Sequence, residues 1–138
     1  MVVFKRWHSA RRPVRVAAAA VVVLLAYGTV VHLMQLLGSG FDQYLDLPGW
    51  LRTYFLALTV LDPLAAVLLA WRTRVGVALA VMVFVSDAIA NGWANYALDP
   101  ASGVTVGRVG QAVITTLAIA ACAAGPYLWR AAAPRRHR

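Results

Sequence analysis

The chain has one cysteine, one lysine and no glutamate. The lone Cys122 excludes an intrachain disulfide and any multi-thiolate metal site, and within an Ala-rich apolar run it reads as packing. The familiar apparatus of soluble catalysis is missing as well. There is no Gly-rich phosphate loop, no Gly-x-Ser-x-Gly elbow, no His-Glu-x-x-His pair and no Cys-x-x-Cys. The reading therefore leans away from an enzyme and requires neither cofactor nor metal. Charge is scarce too, at 13% of the 138 residues against 62% hydrophobic, a balance far from that of a water-soluble domain. The charge that exists is lopsided: thirteen bases, all Arg except Lys5, against five acids, all Asp, for a net +8. In a soluble protein that excess would point to nucleic acid. Here the bases stand beside long apolar runs, as membrane orientation requires, so nucleic acid is not expected as a partner.

A hydrocarbon core about 30 Å thick takes roughly 20 apolar residues at 1.5 Å rise per residue. Four runs qualify, over 16–37, 53–71, 75–97 and 109–129. The first is too long for the apolar region of a signal peptide, which holds roughly 7 to 15 residues. The second and third are separated only by Arg72-Thr73-Arg74, so they form a tight antiparallel hairpin. Counting bases by side places Lys5, Arg6, Arg11, Arg12, Arg15, Arg72, Arg74, Arg130, Arg135, Arg136 and Arg138 together. Only Arg52 and Arg108 fall opposite, and the positive-inside rule then assigns both termini to the cytoplasm. Asp42, Asp46 and Asp99 lie in the two loops on the other side. Trp50 and Trp93 belong at the outer interface and Trp71 and Trp129 at the inner one, where an indole keeps its ring among headgroups and its N–H wet. The expectation is a single all-α domain, an integral membrane antiparallel four-helix bundle of the cell membrane. Basic cytoplasmic tails flank it over 1–15 and 130–138. Pro134 discourages further helix, and the polybasic end contacts anionic lipid of the cytoplasmic leaflet.

Polar side chains are costly in hydrocarbon, about 2.5 to 3.5 kcal/mol for a charge at a helix centre, so the exceptions inside the spans are where function is sought. The first helix carries His32 and Gln35 one turn apart, with Gly28 one turn below. The second carries Asp62, followed by Pro63, which leaves the Thr59 carbonyl without its helical partner. The third carries Asp87, Asn91 and Asn95 at four-residue spacing, and the fourth Gln111 and Thr115. Heights at 1.5 Å per residue bring Asp62 and Asp87 level near the midplane. His32, Asn91 and Thr115 then lie roughly 6 to 9 Å outward, and Gln35, Asn95 and Gln111 roughly 12 to 14 Å. The inner half is almost purely apolar. Asp62, Asp87, His32, Asn91, Gln35 and Thr115 are therefore the expected ligand-binding residues, with Gln111 read as hydrated near the interface. Two acids facing each other in low dielectric share one proton or attract a cation, and a basic amine suits them. Against this stands polar glue between helices, worth about 0.6 kcal/mol per contact, which needs no ligand. Ala88 with Gly92 and Ala121 with Gly125 are small pairs that let backbones approach, within the chain or in a homo-oligomer.

At the start of the second run, Pro48-Gly49-Trp50-Leu51-Arg52-Thr53-Tyr54 resembles the Pro-x-Trp segment of small four-helix EXPERA-type proteins, the group containing the sigma-2 receptor and sterol isomerases. Length and helix count are similar. The resemblance implies an intramembrane pocket for sterols or amphipathic amines, with Asp62 and Asp87 as counterparts of its acidic lining. The family's first-helix aspartate has no equivalent here; His32 is the nearest polar substitute, which speaks against isomerase activity. By shape the chain also resembles small DoxX-like membrane proteins. The leading expectation is a membrane protein that binds an amphipathic or cationic small molecule in a polar pocket. A structural or assembly subunit without ligand, or a proton-coupled transporter subunit, are the alternatives.

Overall fold

The computed structural model describes residues 6–39 and 46–132. Lys5, Asp42, Pro134 and the arginines at 135, 136 and 138 lie outside them. The described chain is four helices and no strand: α1 (Arg12–Ser39), α2 (Gly49–Ala70), α3 (Arg74–Trp93) and α4 (Val106–Ala132). A π-helical turn, Ala94–Leu98, extends α3. All four are long and apolar enough to cross a membrane.

Each helix begins outside its apolar run because the flanking residues suit a first turn. Arg12 and Pro13 open α1, where proline's missing N–H costs nothing. Pro48 precedes α2, and its carbonyl accepts from Leu51 and Arg52. Thr73 caps α3 by accepting from the Gly76 N–H at 2.9 Å, and Thr105 does the same for Arg108 at 3.2 Å. The segment 12–15, expected in the basic tail, is thus the first turn of α1. α2 continues as α-helix through Pro63.

Apolar residues cover both faces of α1. Leu25 and Ala18 are buried, while Val16, Val23, Val30 and Leu37, at seven-residue spacing, are exposed together with Tyr27 and Met34. A helix apolar all round belongs in a bilayer or a large core, and a chain this short has no large core. On α4 the buried residues are Gln111, Ala118, Ala121, Gly125, Leu128 and Ala132. That alternation of three and four is the seam of a helix packed closely on a neighbour. The neighbour is α3: a Cβ at Gly125 would stand 3.3 Å from Val81 Cγ2. The small residues therefore serve a pairing within this chain.

Consecutive helices pack extensively, whereas α1 and α4 touch far less. α2 and α3 approach most closely at Gly76, where any Cβ would overlap the backbone of Leu68 and Leu69. Arginines tie the two ends. In the turn between α2 and α3, Arg72 adopts φ 60° and donates to Ala131 O at 2.7 Å, Arg6 O at 2.6 Å and Ser9 Oγ at 2.7 Å. Its guanidinium also lies 5.5 Å from the Trp7 ring centroid. Trp7 is fully buried there and donates from Nε1 to Leu69 O at 3.1 Å. At the other end Arg108 donates to Asn95 O, Gly103 O and Ala101 O and sits over Tyr96. Trp50 and Trp93 meet edge to face at that end, 6.4 Å apart.

Candidate functional site

The loose contact between α1 and α4 leaves space beside the polar residues. A cavity of about 240 Å³ opens there, reaching from α1 and α4 inward to α2 and α3. Its polar lining is His32 and Gln35 of α1, Asp62 of α2, and Asp87 and Asn91 of α3. Leu24, Tyr27, Val31, Phe84, Val113 and Leu117 form much of the apolar remainder. Five of the six expected site residues therefore converge. Thr115 does not: it is exposed, outside the cavity lining, and its Oγ1 accepts from Gln111 Nε2 at 3.0 Å. One turn along α4 from Gln111, it serves as that side chain's anchor instead.

Asp62 is 4% exposed and sits against α1 where α1 has no side chain. A Cβ at Gly28 would stand 2.5 Å from Asp62 Oδ2, so the glycine makes the seat for the carboxylate. One turn further along α1, His32 Nε2 is 3.8 Å from the same Oδ2. His32 Nδ1 is buried with no hydrogen-bond partner among the described residues. Asp87 is held from its own helix: Asn91 Nδ2 donates to Oδ1 at 2.7 Å and to the Asp87 carbonyl at 3.1 Å. Asn95 repeats the pattern, donating to Asn91 O at 2.8 Å. The stripe along α3 is thus a chain of local bonds that orients Asp87 where it lines the cavity.

A second cavity, about 350 Å³, continues toward the Arg108 end between His32, Gln35, Asn91, Asn95, Gln111 and Gly110. Asn95 lies within the π-helical turn, and wide turns of this kind recur at functional sites. Gly107 makes room for Asn95, whose Oδ1 would collide with any Cβ at that position. A third cavity, about 380 Å³ and almost wholly apolar, lies on the same α1–α4 seam near Arg11 and Tyr127.

Sequence reasoning underrated two features. Gln111, expected to be hydrated, is 8% exposed and bonded to α3; its place on the three-and-four seam of α4 was the available signal. Tyr54 of α2 and Ser86 of α3 share a 2.8 Å hydrogen bond that joins the two acids' helices, which no spacing along one helix could disclose. Among the described residues no group of three or more His, Cys, Asp or Glu could hold a metal ion. Chemically, the site offers two carboxylates from different helices, a histidine and amide groups, within apolar walls. That arrangement can hold a cation with an apolar tail. No protein-family model, curated protein or solved structure matches the chain.

Proposed function

We propose that the protein binds an amphipathic or cationic small molecule within the membrane, with Asp62 and Asp87 as anionic anchors and His32, Asn91 and Gln35 orienting the ligand. The observation that carries this reading is the meeting of Asp62 and Asp87, from separate helices, at one largely apolar cavity. Two acids in a dry site favour a shared proton or a bound cation, and an ammonium satisfies both charges at once. The sparsely packed α1–α4 seam supports a lateral path from lipid, since an apolar tail can stay between these helices while the head enters.

The proposed setting is the cell membrane, with the helices as an antiparallel bundle and both termini cytoplasmic. The distribution of arginines along the sequence supports this orientation. The Arg108 end then faces outward, and Arg11, Arg12, Arg15 and Arg130 meet anionic lipid. A second reading, an assembly subunit whose polar residues only hold helices together, draws on the bonds of Gln111 to Ala88 O and of Tyr54 to Ser86, each of which joins two helices.

A thermal-shift comparison of detergent-purified wild type with the Asp62→Asn, Asp87→Asn double variant separates the two. The expected result is an amine-dependent rise in Tm for wild type that disappears in the variant, whose ligand-free stability is equal or higher because two acids have left a low-dielectric site. If no amine shifts the wild type and the variant is at least as stable, the assembly reading takes over. Proton flux into liposomes that the variant loses would instead favour a transporter.

A further inference from the structure

Gln111 is the buried polar residue that the amine site leaves unused. Its Nε2 donates across to Ala88 O on α3 at 2.8 Å and along α4 to Thr115 Oγ1 at 3.0 Å. These bonds fix the amide, because turning it over would set two oxygens against each other at Ala88. Oε1 is thereby committed as an acceptor, and it is buried with no donor among the described residues. An unmatched acceptor in a side chain only 8% exposed calls for a physical reason. α3 accommodates the group without crowding: a Cβ at Gly92 would stand 3.3 Å from Nε2. The open space beside Gln111 is the second cavity, which shares His32, Gln35, Asn91 and Ile114 with the aspartate cavity.

We infer that Gln111 is a specificity residue of this site, and that the ligand is an amphipathic amine with a second hydrogen-bond donor, a hydroxyl or N–H. The inference rests on the amine-binding reading above. The spacing follows from α3, which carries Asp87 at one level and receives Gln111 between Ala88 and Gly92. That is about one helical turn, ~5 Å, further along. A simple alkyl amine would answer the carboxylates and leave Oε1 bare. An amino alcohol or a diamine whose donors are about that far apart answers both.

N-dodecyl aminopropanol and its methyl ether differ by a single O–H donor, so their equilibrium binding to the full chain in detergent tests the inference. Wild type is expected to bind the alcohol about tenfold more tightly than the ether, the usual scale for matching or stranding one buried hydrogen-bonding group. Gln111→Met keeps side-chain length and removes the acceptor; it is expected to bind both compounds alike, at the level of the ether. Equal binding of the two by wild type, as when only water meets Oε1, overturns the inference and leaves amine binding intact. A preference that survives in Gln111→Met overturns it too. If neither compound binds wild type, the amine reading itself falls. The wild-type comparison decides even where the variant fails to fold.

Discussion

Gly28→Ala is expected to lower stability by about 1–3 kcal/mol and weaken amine binding at least tenfold, while Gly110→Ala on α4 is expected to raise stability by up to ~1 kcal/mol. The substitution is identical and both sites are helical glycines near the same cavities. The difference lies in what the new methyl meets. At Gly28 it would stand 2.5 Å from Asp62 Oδ2, closer than real Cβ atoms come, and the buried carboxylate must turn away. The turn breaks the approach to His32 at 3.8 Å and moves one of the two anionic anchors. At Gly110 nothing lies within 4 Å, so only the gain in helix propensity remains. Unfolding midpoints and amine titrations of the two variants check the pair. Equal behaviour would mean that Asp62 does not depend on a seat at Gly28, and the geometry of the site would have to be redrawn.

The four spans were legible because hydrocarbon imposes a length, and four apolar runs set off by polar or helix-breaking residues satisfy it. Their ends were not, since capping depends on single residues such as Thr73 and Thr105 that an apolar-run criterion passes over. The polar set was legible by the same reasoning in reverse: Asp62, Asp87, His32, Asn91 and Gln35 stand out against apolar neighbours, and they line one cavity. Depth sets Thr115 within the site and Gln111 near the interface, but depth does not decide burial. Both occupy one face of α4 a turn apart, and the register against α3 decides which of them is buried. The sequence pattern relates Gly28 only to His32, one turn away, because its use is a contact with a different helix. The N-terminal segment was the largest surprise. A stretch rich in arginine reads as a solvated tail, yet its Trp7 is fully buried.

The loose α1–α4 seam has a physical origin in composition. α4 spends its small residues, Ala118, Ala121 and Gly125, on α3, and what it turns toward α1 includes Val113, Ile114 and Leu117, which line open space. α1 in turn packs on α2, where Gly28 admits Asp62. Because these side chains do not close the gap between α1 and α4, cavities occur along the seam from Arg11 to Gln111. A gap at this seam must be closed at its ends if the four helices are to hold a defined shape, and Arg72 stands at one of those ends.

Arg72→Ala is accordingly expected to cost about 2–4 kcal/mol, with Arg72→Gly milder by ~1 kcal/mol. The guanidinium joins three separate pieces of chain: the turn that bears it, the carbonyl of Arg6 with the hydroxyl of Ser9, and Ala131 O near the end of α4. Ala131 O is part-buried, so losing its donor costs more than losing the two exposed partners, which water can replace. Trp7 also loses the cation at its face and keeps only its bond to Leu69 O. Alanine, like the arginine it replaces, bears the cost of the left-handed backbone at φ 60°, which glycine escapes, and this sets the two variants apart. Lysine cannot reach Ala131 O and Arg6 O with one ammonium in the way that Nε and Nη1 do together, so Arg72→Lys should fall between wild type and alanine. Unfolding in detergent measures the order, and limited trypsin digestion reports the mechanism, because a released N-terminal segment opens the Arg6–Trp7 and Arg11–Arg12 bonds to cleavage. Wild-type stability together with an unchanged digestion pattern in Arg72→Ala would show that the seam is closed by helix packing alone.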